Sequence, residues 1–187
     1  MFWEKLCENL GTIIGVIGSI AGVFLGWWLN NYSRKGKISI FVDESINGKF
    51  ITQEEAYAGC LEDAKLFAYK FKVELYNSSS DTKVMRDIKL MFYGEKTELF
   101  EITPYDKALE TSTHHIYTHR KIEILNIPAK SAITKVLYGW IDEKLLAKVM
   151  QTKMVFLFYK DEYNKEKGKI IEVKDYSQYD FDQMEDE

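Results

Sequence analysis

The sequence predicts a mainly β protein in two parts: an amino-terminal transmembrane α-helix, then a two-sheet antiparallel β-sandwich with one or two short connecting helices. Three observations predict it. From Asn9 to Ser33 there is no charged side chain. Beyond Gly36, apolar and polar residues alternate with period two in about seven segments separated by turn-forming residues. Between those segments there is no regular alternation of strand with long helix, the pattern a parallel sheet requires. The implied organisation is a short tail over 1–9, a transmembrane helix over 10–32, a basic juxtamembrane linker over 33–37, a sandwich over 38–174 and an acidic, disordered tail over 175–187.

The apolar run from Leu10 to Leu29 is about 20 residues, which at ~1.5 Å per residue spans a ~30 Å hydrocarbon core. A buried helix of a soluble protein is usually shorter and keeps a polar stripe, which this run lacks. Membrane-interface residues flank it: Phe2 and Trp3 before, Trp27, Trp28 and Tyr32 after, then the bases Arg34, Lys35 and Lys37. On the amino-terminal side only Lys5 and the amino group are positive, opposed by Glu4 and Glu8. The positive-inside rule therefore expects a single-pass protein with its carboxyl-terminal domain in the cytoplasm. A cleaved signal peptide fits less well. Its apolar core is usually ~7–15 residues, and the exit "GWWLNNY" offers no small-x-small cleavage site.

The glycines of this run fall on one side. At about 100° per residue, with Gly11 at zero, Gly15, Gly18, Gly22 and Gly26 all lie within a face roughly 80° wide, with Ser19 at its border. Such a stripe lets another helix backbone approach closely, and in lipid that close packing is what holds helices together. The spacing Gly18-x3-Gly22-x3-Gly26 is the associating pattern twice over, so the expected partner is a second copy of this chain or another membrane helix.

The net charge of −4 conceals an asymmetry: the tail "DYSQYDFDQMEDE" from Asp175 carries six carboxylates and no base. That leaves 36–174 close to neutral, without the basic footprint of a nucleic-acid-binding protein. A segment so charged repels itself and is expected to be solvated, with a docking peptide around Tyr176, Tyr179 and Phe181 as the alternative. The two cysteines, Cys7 and Cys60, fall on opposite sides of the expected membrane or at its edge, which disfavours a structural disulfide.

Along the sandwich, "KISIFVD" puts Ile38, Ile40 and Val42 on one face. "YKFKVELYN" faces Tyr69, Phe71, Val73 and Leu75 one way and Lys70, Lys72 and Glu74 the other. "NSSSDT" supplies a turn before "KVMRDIKLMFYG", in which Arg86 falls on the apolar phase and predicts a bulge near Met85 or an edge position. "RKIEILNI", "AITKVLYGW" and "TKMVFLFYK" read as further strands, the last apolar on both faces and so central or covered on both sides. "DEYNKEKGK" reads as a polar hairpin into "KIIEVKD". Two helices are expected as connections. "TQEEAYAGCLEDAKL" begins with Thr52 and Glu55 at capping-box spacing, and "DEKLLAKVM" offers Asp142 as N-cap with Leu145 and Val149 at i, i+4.

The succession "FKVELYNSSSDTKVMRDIKLMFYG", "IEILNIPAKS" and "MVFLFYKDEYNKEKGKI" resembles small bacterial and prophage-type single-pass membrane proteins that carry an immunoglobulin-like sandwich, over roughly 38–174. The matching features are the asparagine-led turn after a strand and the strand that ends in proline before a polar turn, Ile127-Pro128-Ala129-Lys130-Ser131. The resemblance implies an immunoglobulin-like domain, a bacterial cell membrane and, for some such proteins, protection of lysogens against superinfecting phage.

No catalytic signature stands out: GxSxG, Walker A, GxGxxG, HExxH and CxxC are all missing from the sequence. In "THHIYTHR", His115 and His119 share a face only if helical, and β-branched neighbours disfavour helix. Extended, they stand roughly 13 Å apart, too far for one zinc ion, so a solvated loop is the expectation and no metal or cofactor is assigned. Asn77-Ser78-Ser79 is a formal glycosylation sequon whose turn-forming role suffices. The expected function is a non-enzymatic, membrane-anchored interaction module: the helix self-associates and the sandwich binds a protein partner. A phage-exclusion factor acting during DNA injection is the alternative, and a small pore built by glycine-packed helices the next.

Overall fold

A computed structural model describes residues 2–42, 46–52, 58, 61–113 and 116–171. Helix α1 (Phe2–Arg34) is continuous and outruns the apolar stretch at both ends. Its segment Asn9–Arg34 is long and apolar enough to cross a bilayer, and none of the segment is buried against the rest of the chain.

The described residues after α1 form β1 (Ile38–Val42), β2 (Asn47–Ile51), β3 (Leu66–Asn77), β4 (Lys83–Tyr93), β5 (Glu98–Ile102), β6 (Tyr105–Asp106), β7 (Thr111–Thr113), β8 (Ile116–Thr118), β9 (Ile124–Ile127), β10 (Ala132–Asp142), β11 (Met154–Lys160) and β12 (Glu166–Ile171). They make two antiparallel five-stranded sheets and one small hairpin, β7–β8. In the first sheet β10 runs beside the whole of β3, from Ala132 opposite Tyr76 to Asp142 opposite Leu66. The other edge of β3 is shared: β1 covers Val73–Asn77 and β2 covers Leu66–Lys70. β6 joins the far side of β10. The second sheet repeats this plan. β11 lies between β12 and β4, and β4 divides its other edge between β9 and β5.

Strand β3 shows why these residues make a sandwich. Phe67, Tyr69, Phe71, Val73 and Leu75 are buried while Lys70, Lys72 and Glu74 are exposed, so one face meets the core and the other meets water. The opposing sheet contributes Met85, Ile88, Leu90, Phe92, Val155, Leu157 and Tyr159 to the same core cluster. Each such fully buried side chain contributes roughly 1.5–3 kcal/mol relative to exposure. Phe92 and Phe100 stack across β4 and β5 with ring centroids 4.4 Å apart.

The bulge foreshadowed by Arg86 is real. Arg86 and Asp87 are both exposed between buried Met85 and Ile88, and Asp87 has a φ of 50°, in the left-handed region. Opposite it, β11 shifts register between Phe158 and Lys160, and Lys160 donates to Asp87 Oδ2 at 2.7 Å. That ammonium holds the Asp87 carboxyl below its ordinary range. β11 is central, paired on both edges as its two apolar faces required.

Several expectations need correction. The helix expected over 52–66 lies partly outside the described residues, and its described end is not helical: Leu61–Asp63 is a turn and Leu66 opens β3. The helix after Asp142 is a 3-10 turn, Glu143–Leu145, running into the short α2 (Leu146–Met150). Asp142 sits at the N-cap position with no side-chain capping bond, and the buried pair is Leu146 with Val149 rather than Leu145 with Val149. The segment around "THHIYTHR" is not a loop throughout: Thr111–Thr113 and Ile116–Thr118 are exposed strands that pair from Thr111↔Thr118 to Thr113↔Ile116, and His114 and His115 between them lie outside the described residues. The acidic tail over 175–187 and Cys60 lie outside the described residues.

Candidate functional site

Two places carry more organisation than folding alone demands: the joint between α1 and the sandwich, and the outer face of the first sheet.

At the joint, α1 is capped by the turn between β3 and β4. A helix leaves its last carbonyls without intrahelical partners. Here Ser80 N–H donates to Ser33 O at 3.2 Å and Ser79 Oγ donates to Arg34 O at 3.1 Å. Lys37 N–H then donates to Ser78 Oγ at 2.9 Å, while Ser78 N–H returns a bond to Lys37 O at 3.1 Å. Arg34 Nε adds an ion pair with Asp81 Oδ2 at 2.6 Å, exposed and so worth little by itself. Gly36 makes this approach possible: a Cβ there would stand 2.3 Å from Ser79 N and 2.4 Å from Ser78 C, both backbone atoms.

The turn is itself fixed by Asn77, whose side chain is fully buried. Its Nδ2 donates to Asp81 O at 2.8 Å, Ile127 O at 3.0 Å and Pro128 O at 3.0 Å, so two hydrogens serve three carbonyls. Its Oδ1 accepts from Ser79 N–H at 2.9 Å. With its amide enclosed and hydrogen-bonded, Asn77 is a structural hinge-pin and no glycan acceptor. Lys130 N–H closes the cluster on Ser79 O at 3.0 Å.

The five glycines, Gly11, Gly15, Gly18, Gly22 and Gly26, lie along the uncovered helix, with nothing within 4 Å of where a Cβ would sit. Ser19 turns its hydroxyl inward to Gly15 O at 2.8 Å. Trp27, Trp28 and Tyr32 are exposed, Trp28 stacking on Tyr32. The side chain of Trp3 lies outside the described residues. Lys35 and Lys37 are exposed beside the joint.

On the outer face of the first sheet, Tyr105 of β6 stacks on Trp140 of β10 with centroids 4.9 Å apart. His119 meets Trp140 edge-on at 5.0 Å and Tyr138 at 5.8 Å. His119 Nδ1 lies 2.6 Å from Tyr138 Oη, which donates to Glu110 Oε2 at 3.1 Å. Because a hydroxyl has one proton, that donation leaves Oη to accept from Nδ1–H, which fixes the imidazole tautomer. Partial burial first, and the Glu110 carboxylate second, push the Tyr138 phenol up to about 12. Lys107 draws the Glu110 carboxyl down. Trp140 remains 40% exposed. Beside this cluster runs a groove of about 630 Å³ whose charged lining residues are Lys49, Lys70, Lys72 and Lys107.

His119 therefore serves an aromatic cluster that periodicity did not anticipate. The available signal was "VLYGW", where aromatic residues occupy the outward phase of a strand that should face water. His115 lies outside the described residues, and among those described no group of three or more metal-ligating side chains converges.

The chain resembles known proteins over most of its length. It is 29% identical over 169 residues to the SPbeta prophage-derived protein YopI of Bacillus subtilis, covering 84% of this chain and 94% of that one. Among solved structures, the ApaA protein of Bordetella pertussis aligns with 73% of this chain and 89% of its own at 7% identity and a TM-score of 0.35. The lipoprotein YcdA of Bacillus subtilis aligns with 76% of this chain and 39% of its own at 16% identity and a TM-score of 0.39. The family model described as the YopI Ig-like domain matches residues 36–172, from Gly36 at the joint to the last strand, and the chain belongs to that family.

Proposed function

We propose that the protein is a membrane-anchored, non-enzymatic interaction module of a bacterial cell membrane. The helix spans the bilayer once, the Ig-like domain stands on the cytoplasmic side, and the outer face around Tyr105, His119, Tyr138 and Trp140 receives a protein partner. One observation carries this reading. A segment of 26 residues, apolar enough to cross a bilayer, is covered by nothing in the chain yet is capped directly by the domain. A signal peptide, which is removed, would gain nothing from such a cap. The exposed Trp140 ring, held rigid by the half-buried Tyr105, His119 and Tyr138, gives contact area at small entropic cost, which favours the outer face as the partner surface.

The glycine stripe is the proposed self-association surface. In membranes treated with a lipid-phase crosslinker, the wild-type chain is expected to give a dimer or higher oligomer. G18L/G22L is expected to lower the crosslinked fraction roughly fivefold, the equivalent of ~1 kcal/mol. A wild-type chain that remains monomeric and captures no partner from solubilised membranes counts against the reading.

A second reading, exclusion of superinfecting phage, is favoured by the prophage origin of the Bacillus subtilis relative. Challenge of an expressing host with a panel of phages tests it. A drop in plaque number for some phages supports it, and unchanged counts across the panel remove it.

A further inference from the structure

A cavity of about 690 Å³ opens where α1 meets the sandwich. Its walls carry six bases, Arg34, Lys35, Lys37, Lys83, Lys167 and Lys169, against the three carboxylates Asp81, Asp161 and Glu162, a net charge of +3. The carboxylates are already engaged. Asp81 pairs with Arg34 at 2.6 Å and Glu162 with Lys83, while Asp161 Oδ1 accepts from the N–H groups of Tyr163 and Lys165 at 3.0 and 2.8 Å. Lys35, Lys37, Lys167 and Lys169 form no ion pair among the described residues.

Register places two of these lysines. Lys167 stands opposite Tyr159 and Lys169 opposite Leu157, both core-facing residues, so the lysines lie on the inner side of edge strand β12. There they look across the open mouth of the sandwich toward Ile38 and Ile40 of β1. Inward lysines on an edge strand are one way to prevent edge-to-edge aggregation. That role accounts for Lys167 and Lys169, but not for the convergence of Lys35 and Lys37 on the same cavity from the helix end.

The cavity also lies at headgroup depth. Leu29 ends the apolar run, and at ~1.5 Å per residue Asn31 and Arg34 stand about 3 and 7.5 Å beyond it. A headgroup layer occupies roughly 5–7.5 Å on each side of the hydrocarbon. Asn31 and Arg34 both line the cavity, and the capped joint holds the domain at that level. Tyr163, at the tip of the β11–β12 turn, lines the same cavity and is 72% exposed, as an interfacial aromatic would be.

We propose that this cavity binds the phosphate-bearing headgroup of an anionic phospholipid from the leaflet on the domain side. The proposal rests on the reading of α1 as a membrane anchor. The phosphate is held by the ammonium groups of Lys35, Lys37, Lys167 and Lys169, whose four charges outnumber the one carboxylate of the cavity, Asp161, that no base there pairs. Ile38 and Ile40 offer apolar surface to the glycerol end. The ligand is thus part of the bilayer itself, and it tilts and seats the domain against the membrane.

The test uses the full chain in nanodiscs of phosphatidylcholine with one quarter phosphatidylglycerol, released for native mass spectrometry so that retained lipids are counted. The wild-type chain is expected to retain phosphatidylglycerol in preference to phosphatidylcholine. K167Q/K169Q removes two bases far from α1 in sequence and is expected to lower that preference about 25-fold, about fivefold for each lysine near an anionic surface. K96Q/K144Q, at the opposite end of the domain, is expected to leave it unchanged. Retention without preference in the wild type, or an equal loss in both double variants, overturns the proposal. Displacement of the lipid by millimolar glycerol phosphate also overturns it, by assigning the site to a soluble phosphate. A chain that fails to stay in the bilayer overturns the anchor reading and this proposal with it, whereas a chain retained without preference overturns this proposal alone.

Discussion

Replacing Asn77 with alanine is expected to destabilise the domain by about 3 kcal/mol, seen as a melting temperature lower by roughly 10 °C. The side chain is fully buried and bonds three carbonyls and one amide, tying β3 to the β4 start and to the Ile127-Pro128 strand end. Alanine removes the donors and takes from the buried Ile127 carbonyl and the Ser79 N–H their Asn77 partner, the costly way to lose a hydrogen bond, while Pro128 O keeps its bond from Ser131 Oγ at 2.8 Å. Asn77→Asp is the sharper control, because it keeps the shape and the Ser79 contact while placing a buried carboxylate against three carbonyl oxygens. It is expected to be at least as damaging as alanine. Thermal melts of the full chain in detergent, followed by near-ultraviolet circular dichroism, check both. Melting within 2–3 °C of wild type for both variants would contradict the role assigned to Asn77, since a change of about 1 kcal/mol moves a domain of this size by several degrees.

Gly36→Ala should leave the sandwich folded but loosen its hold on the helix. The new Cβ would stand 2.3 Å from Ser79 N, and its obstacle is backbone that cannot rotate away. Either the helix end or the turn must retreat, and with it go the bonds from Ser79 Oγ to Arg34 O and from Ser80 N–H to Ser33 O. Overpacking of this kind costs about 1–3 kcal/mol. The Asn77 bonds to Ile127 O and Pro128 O do not touch Gly36 and are expected to survive, so that cost falls on the joint. Spin labels at Asn30→Cys on α1 and Ser112→Cys on the domain, in a background with Cys7 and Cys60 replaced by serine, report the geometry. A single narrow distance distribution is expected for the parent and a broad one for Gly36→Ala. Two equally narrow distributions would contradict a joint built on the absence of a side chain at Gly36.

What the sequence revealed follows from the range over which each feature is encoded. The alternation of Tyr69, Phe71, Val73 and Leu75 is local and long, so β3 and its buried face were legible. The misplaced Arg86 disclosed a bulge because one residue out of phase is itself local information. β7 and β8, with three residues each, are too short for periodicity to register. β2, "NGKFI", is little longer, and glycine at its second position hides the pattern.

The joint was illegible for a different reason. "NSSSDT" announces a turn, but nothing in it says that Ser79 and Ser80 cap a helix ending more than 40 residues earlier. The glycine at 36 likewise reads as linker until the backbone it touches is known. The aromatic cluster lay between these extremes. Tyr138 and Trp140 were visibly on the wrong face of β10, while Tyr105 and His119 join them only through the fold.

Anchor, joint and lipid site all require that α1 remain part of the mature chain and hold it in the bilayer. Washing membranes with alkaline carbonate, then weighing the chain that stays in the pellet by intact mass spectrometry, tests this most directly. The whole polypeptide, α1 included, is expected to stay with the lipid. Release of the full-length chain into the supernatant, or recovery of a shortened chain that lacks α1, would contradict it.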